Sequence, residues 1–74
     1  MKNALAHSNL GFLLQFVRKD YDGAERHYRK AIELDPSDVM AHLGLSKLLN
    51  DVRKDFDGAE RHLRKAAGNS KTTQ

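Results

Sequence analysis

The chain has no cysteine and no tryptophan, only one proline, and no long apolar run. Without cysteine there can be no disulfide and no thiolate metal site, and the composition fits a reducing compartment. With no apolar run of membrane-spanning length, and none placed behind a charged segment as in a signal peptide, the chain is expected to be cytoplasmic, with no membrane partner. The five glycines form no phosphate-binding loop. Gly23 and Gly58 follow no strand-like segment, and strand alternation is nowhere visible. Thirteen Lys and Arg against ten Asp and Glu leave a net charge of +3, too mild an excess to demand a nucleic acid or a membrane. At 74 residues there is room for one domain and one modest core. A core of that size supplies only about 3 to 5 kcal/mol, so regular helix packing or association must do the rest.

What the sequence does have is a repeat. A shift of 35 places lays Val17 to Ala31 onto Val52 to Ala66 with only Tyr21/Phe56 and Tyr28/Leu63 different. Upstream the match loosens but keeps Ala6/Ala41, His7/His42, Leu10/Leu45, Leu13/Leu48 and Leu14/Leu49 in register. A period of this length marks a solenoid built from one supersecondary unit per repeat. Near-identity extending to exposed positions such as Arg26, Arg29 and Lys30 reads as a recent duplication.

Within each unit the apolar residues recur at helical spacing: Ala6, Leu10, Leu13, Leu14 and Val17, then Ala24, Tyr28, Ala31 and Ile32. The polar stretch Arg18 to Asp22 separates the two segments. Asp22 is positioned to cap the second helix, with Glu25 completing a capping box, and Asp57 and Glu60 repeat the device. Pro36 ends the first unit, and Ser37 or Asp38 can cap the next helix. Four helices are therefore predicted, near 3–17, 22–34, 38–52 and 57–68.

Leu10-Gly11, Ala24, Tyr28, Ala31 and Leu34-Asp35-Pro36, followed by Leu45-Ser46, Ala59, Leu63 and Ala66, resemble the tetratricopeptide repeat. The resemblance implies an all-α fold, two antiparallel helix-turn-helix repeats stacked as a short right-handed α-solenoid. On this reading residues 1–68 are one domain, with repeats at about 4–38 and 39–68, and 69–74 are a polar disordered tail. His7 and His42 stand where the family has Trp, Leu14 and Leu49 where it has Tyr, and the period of 35 exceeds the usual 34. The extra residue is assigned to the Arg18-Lys19 turn, where added length costs little. The pentatricopeptide repeat, which binds RNA, has about this period but matches the Leu-Asp-Pro ending less well. Gly11, Ala24 and Ala31 would let helix backbones approach, while Leu10, Leu14, Tyr21 and Tyr28 fill the core, the tyrosine hydroxyls reaching the rim or a backbone carbonyl.

The copies differ most at Leu5/Met40, Ser8/Leu43, Phe12/Lys47 and Phe16/Asp51, a stripe away from Leu10 and Leu14. In the resembled family this stripe lines a concave groove that holds a peptide. Here the groove would contain Leu5, Ser8, Phe12, Gln15, Phe16, Met40, Leu43, Lys47, Asn50 and Asp51, apolar in its first half and charged in its second. Such an apolar surface suits a protein or peptide partner, another copy of the chain, or a preceding helix. Some family members clamp a carboxylate with Lys and Asn in this groove; Ser8, Phe12 and Gly44 occupy those positions and do not support that mode.

Arg26, Arg29 and Lys30, repeated as Arg61, Arg64 and Lys65, form a basic ladder. Glu25 to Arg29 is a favourable spacing of four, and no aromatic interleaves the face, so nucleic acid is not the expected partner. The four histidines lack the helical spacing of a metal site, apart from Asp20 near His27, and a packing role is expected for His7 and His42. Ser8 and Ser46 have no base and orienter beside them, so no catalytic residue, cofactor or enzyme activity is expected. The second copy lacks the counterparts of Ile32, Leu34, Asp35 and Pro36, which suggests that the array stops there. The expected function is that of a non-catalytic interaction or scaffold module, or of a self-assembling repeat unit joined through its groove or uncapped ends.

Overall fold

The structure is a computed structural model that describes residues 4–67. They form two helical hairpins. Helix α1 spans Ala4–Leu13 and runs on into a π-helical turn, Leu14–Arg18, while α2 spans Tyr21–Leu34. Helix α3 spans Val39–Leu48 with its own π turn, Leu49–Arg53, and α4 spans Phe56–Ala67. Among the described residues there is no strand, and no helix is long and apolar enough to cross a membrane. The tail expected at 69–74, and residue 68, lie outside the described residues.

The hairpin turn corrects the expected cap. A π turn holds one more residue per hydrogen-bonded ring than an α turn, and this one, Leu14–Arg18, closes through Lys19 N–H on the Leu14 carbonyl, so the wider ring runs into the Arg18-Lys19 turn to which the residue in excess of the usual period was assigned. Lys19 then takes the left-handed conformation at φ 58°, and Asp20 N–H closes back on the Leu14 carbonyl at 2.8 Å. This reversal brings the chain into α2 early. Asp20, not Asp22, is the cap, its carboxylate accepting from Gly23 N–H at 3.1 Å. Asp55 does the same for Gly58 N–H at 3.0 Å, in place of Asp57. Asp22 and Asp57 fall inside the first helical turn, where a negative charge suits the helix dipole. Between the hairpins it is Asp38, accepting from Ala41 N–H at 3.3 Å, that caps α3, while Asp35 accepts from the Ser37 hydroxyl at 2.9 Å.

The core is built from Ala24, Tyr28 and Ala31 of α2, Ala41, Leu45, Leu48 and Leu49 of the α3 segment, and Ala59 of α4. Burying each leucine contributes about 1.5 to 3 kcal/mol. Leu10, expected in the core, is 39% exposed, whereas Leu45 at the same repeat position is 0% exposed. The difference is positional: α3 lies against the first hairpin, and the matching face of α1 is covered by nothing among the described residues.

Tyr28 joins the two units. Its ring lies over Gly11 of α1 and Gly44 of α3, so close that a Cβ would stand 2.9 Å from its Cδ1 at the first and 2.5 Å from its Cε1 at the second. Its hydroxyl donates to Gln15 Oε1 at 2.8 Å, a side-chain partner where a rim or backbone one was expected. Outside the core, Arg53 of the second unit reaches back to the first, donating to Asp22 at 2.6 Å and to Glu25 at 3.0 Å.

Candidate functional site

The outer stripes of α1 and α3 meet along one side of the molecule. Phe12 and Phe16, one turn apart, set their rings 4.7 Å apart and tilted by 51°, a favourable aromatic geometry. Across from them α3 presents Val39, Met40, Leu43 and Lys47, and together with Gly44 these residues line a hollow of about 490 Å³. Phe12 is 51% exposed and Leu43 48% exposed, so the apolar surface faces solvent without being spent on the core. Lys47 and Asp51 pair with each other at 3.4 Å, and Asn50 donates to Asp51 at 2.8 Å. The charged half of the stripe thus satisfies itself, leaving the apolar half as the sticky part.

Of the ten residues expected in the groove, Phe12, Phe16, Met40, Leu43 and Lys47 line this hollow. Leu5 is exposed on α1 outside it, and Asn50 and Asp51 are exposed beyond Lys47. Ser8 and Gln15 are corrections, since both are buried. The Ser8 hydroxyl donates to the Leu5 carbonyl at 3.1 Å, the local bond that lets a small polar side chain sit inside a helical interface. Gln15 turns inward because the buried Tyr28 hydroxyl needs an acceptor. Val39 and Gly44 were missed. Val39 lies one turn before Leu43, a spacing visible in the sequence, but its counterpart Ala4 falls outside the well-matched stretch.

The histidines pack in pairs. His7 and His27 bring their Nδ1 atoms to 3.0 Å with ring centroids 5.2 Å apart, and His42 and His62 repeat both distances. His42 also places Nε2 2.8 Å from the Pro36 carbonyl, and since a carbonyl only accepts, that nitrogen carries a proton. Burial, then His7 and Arg26, push the His27 imidazole below its ordinary range against the pull of Asp20. Burial, then His42, Arg29, Arg61 and Lys65, do the same to His62. Among the described residues no three groups of His, Asp or Glu converge as a metal site would need.

Half of the basic ladder is answered by its own helices. Arg29 pairs with Glu25 at 2.8 Å, Arg64 with Glu60 at 2.7 Å and Lys30 with Glu33 at 3.5 Å. Glu25, which burial alone would raise, is held below the usual carboxylate range by hydrogen bonds from Arg29 and Arg53.

Residues 4–38, α1 through the turn before α3, match the family model of the tetratricopeptide repeat. This chain carries a tetratricopeptide repeat. The second unit follows the first in sequence, capping and turn geometry, with the same π turn and the same left-handed lysine. Tetratricopeptide repeats are in general non-catalytic modules of protein–protein interaction. No curated protein and no solved structure matches the chain.

Proposed function

We propose that the chain is a scaffold or adaptor module that binds an extended or helical peptide in the groove between the outer faces of α1 and α3. The observation that carries this reading is the solvent-facing hollow lined by Phe12, Phe16, Val39, Met40, Leu43 and Lys47. Paired aromatic rings beside flexible Met and Leu side chains make an anchor pocket, because they offer much apolar area at little ordering cost. Nothing in the core needs them there. Lys47 at the margin favours a peptide whose apolar anchor is followed by an acidic residue able to compete with Asp51. A cytoplasmic setting belongs to the same proposal and rests on composition.

Panning a displayed peptide library against the chain should return sequences with closely spaced apolar anchors. Changing Phe12 and Phe16 together to Ser should abolish their binding while the helical circular dichroism and melting temperature stay near those of the parent, since exposed substitutions shift stability by about 0.5 kcal/mol or less. Selected peptides that bind the double variant as well as the parent would place the ligand elsewhere.

A further inference from the structure

The two ends of the molecule carry the two halves of the interface that joins its repeats. In that internal interface, α3 buries Ala41, Leu45 and Leu48 against the first unit. The same repeat positions on α1 are Ala6, Leu10 and Leu13, all exposed. At the other end, a hollow of about 440 Å³ is lined by residues including Leu43, Asn50, Phe56, Ala59 and Leu63. Their counterparts in the first unit are Ser8, Gln15, Tyr21, Ala24 and Tyr28, the surface that α3 covers, and there all but the half-buried Tyr21 are buried. One end thus has the shape of α3 and the other the shape of the seat that α3 occupies.

Charge repeats the match. Inside the molecule Arg53 bridges the units by reaching Asp22 and Glu25. One repeat back, Arg18 stands exposed beside the Leu10 and Leu13 face, and one repeat on, Asp57 and Glu60 stand exposed beside the hollow, Glu60 lining it. All three residue types are the same as in the internal bridge. Side-chain bulk is exchanged in a compensating way as well. The internal pair sets the large Tyr28 ring over Gly44, while the corresponding pair between ends would set the smaller Leu63 against Asn9, which has the side chain that Gly44 lacks.

We infer that copies of this chain stack head to tail, the Leu10 and Leu13 face of one entering the Phe56 and Leu63 hollow of the next, with Arg18 bridging to Asp57 and Glu60. The contact continues the interface already formed between α3 and the first unit. Because its two faces differ, it is heterologous and propagates instead of closing as a twofold dimer. It shares Leu43 and Lys47 with the groove but uses neither Phe12 nor Phe16 of the copy that supplies the hollow, and it does not rest on the reading of that groove.

Sedimentation of the full chain over a wide concentration range tests this. The average mass of the parent should climb with concentration past the dimer. Leu13→Glu should block one face and Leu63→Arg the other, each leaving a helical monomer, because both side chains are about half exposed. Mixed in equal amounts, these two variants should form a one-to-one dimer that grows no further. If Leu13→Glu loses its helical signal, Arg18→Glu, at an exposed position, is to weaken the stack in its place, and a copy carrying Asp57→Arg and Glu60→Arg is to restore it on mixing. Phe12→Ser with Phe16→Ser should stack as the parent does. A parent that stays monomeric throughout overturns the proposal, as does association that survives both blocking variants or that vanishes with the groove phenylalanines.

Discussion

The Tyr28 hydroxyl donates to Gln15 Oε1 at 2.8 Å with both side chains buried, and this bond ties α2 to the end of α1 at the seam between the repeats. Removing either partner leaves the other buried and unsatisfied, at a cost of about 1 to 3 kcal/mol. Gln15→Leu and Tyr28→Phe should therefore each destabilise the chain, and the double variant should cost clearly less than their sum. Denaturant unfolding of the three variants gives the coupling. Strictly additive values would mean that water, not Gln15, satisfies the hydroxyl. Burial also pushes the Tyr28 phenol up to about 12, so its contribution is complete below its ordinary value near 10 and is lost as pH rises through 12.

Gly44 is the other side of the same ring. In a helix interior Gly→Ala ordinarily gains about 1 kcal/mol of propensity. Here the new Cβ would stand 2.5 Å from Tyr28 Cε1, an atom that also lies close against Gly11. Overpacking of this kind costs about 1 to 3 kcal/mol. Gly44→Ala should lower the melting temperature, and pairing it with Tyr28→Leu, the residue the second repeat uses, should recover part of the loss. A Gly44→Ala chain as stable as the parent would show that the two units can slide apart at no cost.

The helices, the repeat and the caps at its second junction were legible because each is a local matter of spacing and residue type. The burial of a stripe was not, because it depends on what lies across from it. Leu10 and Leu45 share a repeat position and a local sequence pattern, yet one is exposed and the other enclosed. Ser8 and Gln15 were misplaced for the mirror-image reason, since they are buried at the seam between the hairpins while among the described residues nothing covers their counterparts Leu43 and Asn50. Leu45→Ala should therefore cost about 2 to 5 kcal/mol and Leu10→Ala well under half as much. Equal losses, measured by unfolding at a concentration where the chain is monomeric, would mean that α1 is covered in solution.

The histidine pairs should make stability depend on pH near neutrality. His27 and His62 have folded values below the unfolded one of about 6.5, so their neutral forms favour the fold. Their contribution is present above about 6.5 and is lost as pH falls through the folded values. Melting temperature should fall between pH 7 and 5, before Glu25 is titrated, and His27→Gln with His62→Gln should flatten that slope. A profile unchanged by the substitutions would assign the slope to other groups.

Lys19 and Lys54 hold the left-handed conformation, at φ 58° and φ 60°, where glycine is the usual residue at a helix end. For a residue with a Cβ that conformation costs about 1 to 2 kcal/mol. Glycine relieves it, but frees the unfolded chain by about 0.4 to 1 kcal/mol, which offsets part of the gain. Both lysines are exposed and neither takes part in an ion pair among the described residues, so little else is lost. Lys54→Gly should accordingly stabilise the chain by up to about 1 kcal/mol, which for a domain of this size is a rise of about 4 to 8 °C in melting temperature. Lys19→Gly should act in the same direction. Lys30, in the middle of α2, supplies the contrast: there the same replacement should cost about 1 kcal/mol. If Lys54→Gly lowered the melting temperature as Lys30→Gly does, the second π turn would end in an ordinary helical residue and the cap at Asp55 would have to be drawn differently.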